Sequence, residues 1–183
     1  MTASGRNRVR IIAGKWRSRL VSFPPAAQLR PTPDRVRETL FNWLGQRLDG
    51  LECLDLFAGS GALGFEALSR GAKGVVMVES DRAIAQALRE TARVLEAEGA
   101  QVVQSDALKF LERGRDRFDV VFVDPPFASD LAARAMALLP PLLNPGARVY
   151  VESGAALDLP APWRQLRDDR AGAVRYGLYE TTP

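Results

Sequence analysis

From Leu51 onward, short apolar runs alternate with stretches that have helical periodicity. Short apolar runs bounded by turn residues are typical of buried strands, and a period near 3.6 is typical of amphipathic helices. The pattern predicts strands at 52–57, 75–79, 101–105, 118–123 and 147–152, and helices at 62–70, 82–98, 107–113 and 129–139. Repeated strand–helix units indicate an α/β fold with a largely parallel sheet, covered by helices on both faces.

The last part of the chain changes to a period of two. Residues 163–170 and 173–180 flank Gly172, and apolar side chains alternate in the second segment at Val174, Tyr176 and Leu178. This pattern predicts a terminal antiparallel hairpin. Added to five parallel strands, it gives a sheet of seven strands.

The first part of the chain predicts a small extension of this sheet. Residues 8–23 read as a β-hairpin with its turn at Ala13-Gly14-Lys15, and a helix is expected from Arg35 to Arg47 with Asp34 as its N-cap. We therefore predict a hairpin arm over residues 1–33 and a main domain, with its leading helix, over residues 34–183.

Composition excludes several classes of function. The chain has no histidine and a single cysteine, Cys53, which excludes a His-containing zinc site, a Ser-His-Asp triad and an internal disulfide. We predict no metal site. No segment approaches the roughly 20 apolar residues that a membrane-spanning helix needs. The basic start is not followed by the apolar core of a secretory signal, so we expect a cytoplasmic protein without membrane contact.

Charge is concentrated in the first 50 residues, which carry ten basic and three acidic residues, a net charge of +7, against −4 for the remainder. A basic arm on a mildly acidic body indicates a polyanionic partner, although a solvated tail without a partner would have the same composition. The residues expected to contact this polyanion are Arg8, Arg10, Lys15, Trp16, Arg17, Arg19 and Arg35.

Individual residues of this basic region leave alternatives open. Arg17 and Arg19 would share one strand face and both meet phosphates. Trp16 either stacks on an unpaired base or anchors the arm in the core. Arg35 and Arg37 either border a ligand pocket of the main domain or hold the polyanion, unless Glu38 pairs with one of them in a structural role.

A glycine-rich segment follows the first predicted strand of the main sheet. Gly59-Ser60-Gly61 lies at the carboxyl end of that strand, where glycines allow a tight turn and close approach of a ligand. Glu79 ends the second strand, where a carboxylate accepts from ribose hydroxyls, and Asp106 after the third strand is placed to accept from an adenine amino group. The predicted cofactor-binding residues are Asp55, Phe57, Ala58, Gly59, Ser60, Gly61, Glu79, Ser80, Asp106 and Ala107.

The same glycines fit the GxGxxG fingerprint of dinucleotide-binding proteins, with Gly64 as the third glycine. Asp55 helps to distinguish a dinucleotide from S-adenosylmethionine as the bound cofactor. An acid inside a buried strand needs a partner, either a hydrogen bond that orders the loop or a cationic ligand group. S-adenosylmethionine carries an ammonium group of this kind, whereas NAD does not, so S-adenosylmethionine is the predicted cofactor.

Asp124-Pro125-Pro126-Phe127 follows the fourth strand and forms the predicted catalytic loop. Two prolines fix the backbone and remove two N–H donors, which leaves carbonyl acceptors near the site. Asp124 adds an acceptor, and Phe127 offers a flat face on which a base can stack. Acceptors around an exocyclic amine favour an electron-rich nitrogen, so the loop predicts methyl transfer to such an amine.

The sequence resembles the class I amino-methyltransferases in D-x-F-x-G-x-G at 55–61 and D-P-P-F at 124–127. Two further segments, 10–17 (RIIAGKWR) and 30–44 (RPTPDRVRETLFNWL), resemble the bacterial 16S ribosomal RNA guanine-N2 methyltransferases of the small-subunit head, and the likeness extends from about Arg8 to Tyr179. The resemblance implies a Rossmann-like fold, S-adenosylmethionine and one 16S rRNA guanine. It assigns cofactor roles to Asp55, Gly59, Ser60, Gly61, Glu79 and Asp106, and a catalytic role to 124–127. Ser18 departs from the family, which usually has glycine there, and Gly154 stands where an acid is common.

The resemblance leaves naked RNA and an assembling small subunit open as substrates, and no obligate protein partner is inferred. A DNA adenine or cytosine methyltransferase remains an alternative, although the chain lacks room for a large target-recognition domain. An NAD-dependent oxidoreductase would need a substrate domain that the sequence does not predict. An RNA-binding protein with a relict cofactor site would not need Asp55, Glu79 and the DPPF segment together.

Overall fold

The computed structural model describes residues 7–25, 29–126, 129–159 and 161–182. Within these ranges the chain forms an α/β domain with a seven-stranded sheet and a separate two-stranded hairpin. The strands are β1 (Asn7–Arg10), β2 (Leu20–Phe23), β3 (Glu52–Asp55), β4 (Gly74–Glu79), β5 (Ala100–Gln104), β6 (Phe118–Val123), β7 (Leu143–Ser153), β8 (Trp163–Ala171) and β9 (Val174–Thr181). The helices are α1 (Asp34–Trp43), α2 (Ala62–Ser69), α3 (Arg82–Val94), α4 (Ala107–Arg113) and α5 (Leu131–Leu138).

The main sheet has the strand order β5-β4-β3-β6-β7-β9-β8. Strands β3 to β7 are parallel, and β9 pairs antiparallel with both β7 and β8. The predicted seven-stranded sheet is therefore confirmed, including its terminal antiparallel pair. The order reverses between β3 and β6, so the carboxyl ends of these two neighbours form the crevice where ligands bind in open α/β sheets.

Apolar side chains on the two faces of the sheet form two cores. One contains Phe41, Phe65 and Tyr150, and the other contains Leu54, Val121, Met136 and Val149. Successive residues of a parallel strand point to opposite faces of the sheet and so belong to different cores. Because both faces are buried, these strands are apolar at nearly every position. No helix in the described ranges is long and apolar enough to cross a membrane.

Several element ends differ from the predicted bounds. Helix α1 begins at Asp34, with Pro33 in the N-cap position, and the Asp34 carboxylate accepts from Arg37 instead of capping the helix. The predicted N-cap role of Asp34 is therefore wrong. The helix ends at Trp43 because Gly45 and Gln46 adopt left-handed backbone conformations. Helix α3 likewise ends at Val94, two residues before Glu96, which has φ of 52°.

The hairpin pairs β1 with β2 in antiparallel register, Val9 opposite Val21. Both of these side chains and Phe23 are buried in the core that also contains Phe65. The hairpin connection, residues 11–19 between β1 and β2, is longer than the predicted three-residue turn. It lies against the carboxyl end of α2. The division of the chain at residue 33 stays a prediction.

Candidate active site

The glycine-rich loop leads from β3 into α2 and requires its glycines. Gly59 has φ of 52° and Gly61 has φ of 79°, a region that other residues rarely adopt. A Cβ atom on Gly61 would lie 2.6 Å from the Phe65 ring, and one on Gly59 would lie 2.7 Å from Leu29. Because the backbone at Gly59 and Gly61 packs this closely against neighbouring side chains, the loop is held at the start of α2. The first backbone N–H groups of that helix carry partial positive charge.

Asp55 ends β3 beneath this loop and is 2% exposed. Its Oδ2 atom accepts a hydrogen bond from the Gly64 amide at 3.0 Å. Of the two roles considered for this buried acid, the hydrogen bond that orders the helix start is therefore present. Burial nevertheless raises the pKa of Asp55 from 3.8 to about 7, and the negative charge of Glu79 adds to the rise. A cation beside Asp55 would relieve this cost.

Glu79 lies at the carboxyl end of β4, next to the same loop. One carboxylate oxygen accepts from the Gly59 amide at 3.0 Å and the other from the Asp81 amide at 2.9 Å. The side chain is thereby held in one orientation, partly exposed, and each oxygen keeps a further lone pair for a ligand. The geometry fits the predicted ribose contact, and it also gives Glu79 a structural role in the loop.

The other predicted cofactor residues surround this point. Phe57 is half-buried, while Ala58, Ser60 and Ala107 are buried, and Ser80 is exposed. Asp106 follows β5 and caps α4, since its Oδ1 atom accepts from the Lys109 amide at 3.0 Å. The structure thus brings the predicted set together at the carboxyl ends of β3, β4 and β5. A buried acid, an oriented and partly exposed carboxylate and a glycine loop at a helix start fit S-adenosylmethionine.

Asp124 follows β6 directly, beside the end of β3. The Thr32 hydroxyl donates to its Oδ2 atom at 3.1 Å, so the segment before α1 contacts the predicted catalytic loop. Pro125 is half-buried and Pro126 is exposed. The Pro126 carbonyl accepts from the Ser129 hydroxyl at 2.8 Å and keeps a second lone pair, so it remains, with Asp124 and Pro125, among the acceptors expected of this loop. Phe127 lies outside the described residues, so its stacking role stays a prediction.

A second carboxyl group lies beside Asp124 and was missed by the sequence analysis. Glu152 is near the end of β7, which pairs with β6 so that Val151 lies opposite Val123. The Tyr150 hydroxyl donates to Glu152 Oε1 at 2.7 Å. Burial and the proximity of the two acids raise the pKa of Asp124 well above its ordinary value, and burial raises the pKa of Glu152. No motif pointed to Glu152, because its proximity depends on the register of two distant strands.

A buried ionic cluster joins the hairpin connection to the domain. Glu66 on α2 is fully buried and accepts from the amides of Ile12 and Ala13, at 2.8 and 3.0 Å. It also pairs with Arg37 and Arg70, at 3.3 and 2.8 Å. Breaking such a network would leave buried charge unpaired. Arg37 is therefore structural, and neither its suggested RNA contact nor a pairing with Glu38 is present.

Ser69, one turn further along α2, holds the rest of this connection. Its backbone carbonyl accepts from the Lys15 amide at 2.8 Å, and its hydroxyl accepts from the Trp16 amide at 2.9 Å. A Cβ atom on Gly14 would lie 1.8 Å from the Ser69 carbonyl oxygen, so only glycine fits there. Residues 13–16 (AGKW) therefore adopt a backbone conformation that packs directly against α2.

Trp16 is 6% exposed and belongs to the main hydrophobic core, so it anchors the connection. Its predicted stacking on RNA is wrong, because a buried ring presents no free face. The other predicted RNA-binding residues are exposed; they are Arg8, Arg10, Lys15, Arg17, Arg19 and Arg35. Arg17 lies in a turn and Arg19 outside β2, so the expected shared strand face is also wrong. Ser18 between them has φ of 69°, which explains why glycine suits this position.

Comparisons with known proteins agree with this architecture. The chain matches the protein-family model described as Conserved hypothetical protein 95 over residues 9–180. It is 47% identical to Ribosomal RNA small subunit methyltransferase D of Escherichia coli K12, covering 97% of this chain and 92% of that protein. It is 45% identical to the protein of the same name from Haemophilus influenzae, covering 98% and 97%.

Solved structures give the same result. The structure matches the Escherichia coli protein yhhF with a TM-score of 0.87 at 46% identity, covering 96% of this chain and 98% of that one. The Haemophilus influenzae protein HI0767 matches with a TM-score of 0.82 at 43% identity, covering 97% and 100%. The fold is that of the class I methyltransferases, and the chain belongs to the family that includes the ribosomal RNA small subunit methyltransferase D proteins and is described as Conserved hypothetical protein 95.

Proposed function

We propose that this chain is an enzyme that transfers a methyl group from S-adenosylmethionine to the exocyclic N2 amine of a guanine in 16S ribosomal RNA. The observation that carries the proposal is the position of Asp124, an oriented acceptor at the end of β6. The strand beside it, β3, leads into the glycine loop. The names of the close relatives, ribosomal RNA small subunit methyltransferase D, support the class of substrate.

The residues around the glycine loop would hold the cofactor, which supplies an electrophilic methyl group when bound. Asp55 lies where a carboxylate can face the ammonium group, and ionisation of this buried acid is favoured by a cation. Glu79 would accept from the ribose hydroxyls, and Asp106 from the adenine amino group. Phe57, Ala58, Ser60, Ser80 and Ala107 would line the same site.

Asp124 would act on the amine that receives the methyl group. The nitrogen lone pair is delocalised into the base, so a carboxylate that accepts an N–H hydrogen bond makes the nitrogen a better nucleophile. The interaction strengthens as positive charge develops on nitrogen in the transition state. Thr32 fixes Asp124 before the base arrives, and the Pro125 carbonyl is a second acceptor. Phe127 would support the ring of the base. Catalysis then rests on positioning and electrostatics.

The exposed basic residues would bind the RNA backbone. Arg8 and Arg10 point outward from β1, opposite Ser22 and Leu20, while the side chains between them are buried. Lys15, Arg17 and Arg19 extend this charge along the hairpin connection, and Arg35 continues it onto α1. Such contacts give affinity that depends strongly on salt. The 16S rRNA would be bound free or within an assembling small subunit.

One labelling experiment tests the proposal. The protein is incubated with methyl-labelled S-adenosylmethionine and, in parallel, with 16S rRNA, small ribosomal subunits or duplex DNA, and the products are digested to nucleosides. We expect label in N2-methylguanosine from rRNA or subunits only. Label in N6-methyladenine or N4-methylcytosine from DNA would replace the proposal with a DNA methyltransferase.

A further inference from the structure

The register of the sheet places two carboxyl groups side by side at the candidate site. Strands β6 and β7 are parallel, with Phe122 opposite Tyr150 and Val123 opposite Val151. Continuing this register brings Asp124 next to Glu152, where the two carboxyl groups are within hydrogen-bonding reach of each other. Because alternate strand residues share a face, Glu152 lies on the same side of the sheet as the Tyr150 ring.

A separate hydroxyl group orients each acid. Thr32 donates to Asp124 Oδ2 at 3.1 Å, and Tyr150 donates to Glu152 Oε1 at 2.7 Å. A carboxylate has about four lone-pair sites, so each group retains acceptor capacity after this contact. Tyr150 is fully buried, so the position of Glu152 is set by a rigid part of the core.

A purely structural role accounts poorly for this pair. Two adjacent acids in a partly buried site repel each other when both are ionised, and hydroxyl donors do not neutralise them. Among the described residues, no lysine or arginine forms an ion pair with either acid. An amide at position 152 would accept from Tyr150 equally well without this cost. A ligand that offers two adjacent donors would satisfy both acids.

We propose that Glu152 is a specificity-determining residue that accepts the N1–H of the target guanine while Asp124 accepts from its N2 amine. This inference rests on the proposed function. Guanine presents N1–H and the N2 amine as neighbouring donors on its Watson–Crick edge, and proteins read that edge when a base is unstacked. Adenine presents an acceptor, N1, beside its amine, and two carboxylates would repel it. The pair therefore selects guanine by hydrogen-bond polarity.

The protonation of Asp124 and Glu152 in the free enzyme agrees with selection for guanine. Burial and the neighbouring Glu152 carboxylate raise the pKa of Asp124 well above its ordinary value, and burial alone raises the pKa of Glu152, so the free enzyme favours a proton shared between the two groups. The two donors of guanine take the place of that proton. An acceptor at the ring N1 position would instead require one of the two groups to keep its proton.

The test replaces the target guanosine of the rRNA by 2-aminopurine, which keeps the N2 amine but lacks N1–H. A site built to hydrogen-bond a substrate donor rejects an analogue without it by factors of about 10⁴, so we expect the wild type to prefer guanosine in kcat/KM by at least about 100-fold. In Glu152→Gln, the amide can donate to the unprotonated N1 of 2-aminopurine. We expect this preference to fall at least about tenfold. Glu98→Gln, an exposed glutamate at the opposite end of the sheet, should leave the preference unchanged.

Two results would overturn the inference. The first is a wild-type enzyme that methylates 2-aminopurine as fast as guanosine, a result that depends on no variant. The second is a Glu152→Gln enzyme that loses the same factor on both substrates, which indicates a structural role. Glu152→Asp, which keeps the charge but withdraws it by one methylene, replaces Glu152→Gln if the latter does not fold. Failure of the proposed function is distinguishable, because the wild type would then form no N2-methylguanosine.

Discussion

Replacing Asp55 by asparagine should stabilise the ligand-free protein while weakening cofactor binding. Asp55 is buried, and the hydrogen bond that it accepts from the Gly64 amide can be accepted equally by an asparagine carbonyl. Asparagine carries no charge and does not suffer the burial cost that raises the Asp55 pKa to about 7. Asparagine also cannot attract the ammonium group of S-adenosylmethionine, so stability and binding should change in opposite directions.

The size of the effect follows from the pKa. The folded-state pKa lies above the unfolded value of 3.8, so between these values the unfolded chain is ionised while the folded protein keeps its proton. The free energy of unfolding of the wild type therefore falls by up to about 1.4 kcal/mol per pH unit as pH rises through this range. The full loss above pH 7 is about 4 kcal/mol as an upper figure. The advantage of Asp55→Asn should be larger at pH 8 than at pH 5 by about 2–3 kcal/mol.

Urea unfolding at pH 5 and pH 8, without cofactor, measures this difference. Asp81→Asn is the matched control, because Asp81 also accepts one backbone N–H, from Ile84 at 2.9 Å, but is exposed. Asparagine caps helices as well as aspartate does, so the control should change little at either pH. Calorimetry with S-adenosylmethionine should show weaker binding by Asp55→Asn. A stability difference that is the same at both pH values would refute the reasoning about the buried charge.

Three further predictions follow from the same structure. Glu79→Ala should weaken cofactor binding by about 1–3 kcal/mol in calorimetry, the usual size for hydrogen bonds to a charged group; unchanged affinity would remove Glu79 from the site. Arg17→Ala combined with Arg19→Ala should lower the log–log salt dependence of RNA binding by up to about two units with cofactor affinity intact, and an unchanged slope would mean that these side chains do not touch phosphate. Ser18→Gly should raise the free energy of unfolding by about 0.5–1 kcal/mol, since φ of 69° is strained for serine; a loss of stability would contradict this.

The sequence was sufficient for the fold because parallel strands such as β4 and β6 contain near-continuous apolar runs bounded by turn residues. Strands such as Phe118–Val123 and helices such as Ala107–Arg113 have the predicted bounds, since propensity, burial and turn residues agree there. Helix ends were less predictable. Glu96 ends α3 through a left-handed backbone conformation that no sequence rule assigns to glutamate.

The candidate site was predictable where its residues lie at or just after the carboxyl end of a strand, as Gly59, Glu79 and Asp124 do. It was not predictable where distant segments meet. Glu152 reaches Asp124 only through the register of β6 and β7, and Glu66 reaches the hairpin connection across 53 and 54 residues of chain. Trp16 left two roles open, because the sequence does not show which face of a connection is buried.

The most direct test of the central claim is the single-turnover rate of methyl transfer by Asp124→Ala, with saturating S-adenosylmethionine and the product digested to nucleosides. Loss of a preorganised acceptor costs about 100- to 1000-fold in rate, so we expect a loss of that size with the fold and most of the cofactor affinity retained. Asp124→Asn separates acceptance from charge, because its amide oxygen still accepts a hydrogen bond. We expect the wild type to form N2-methylguanosine in 16S rRNA and Asp124→Ala to form almost none. A near wild-type rate for Asp124→Ala would contradict the assignment of the catalytic loop.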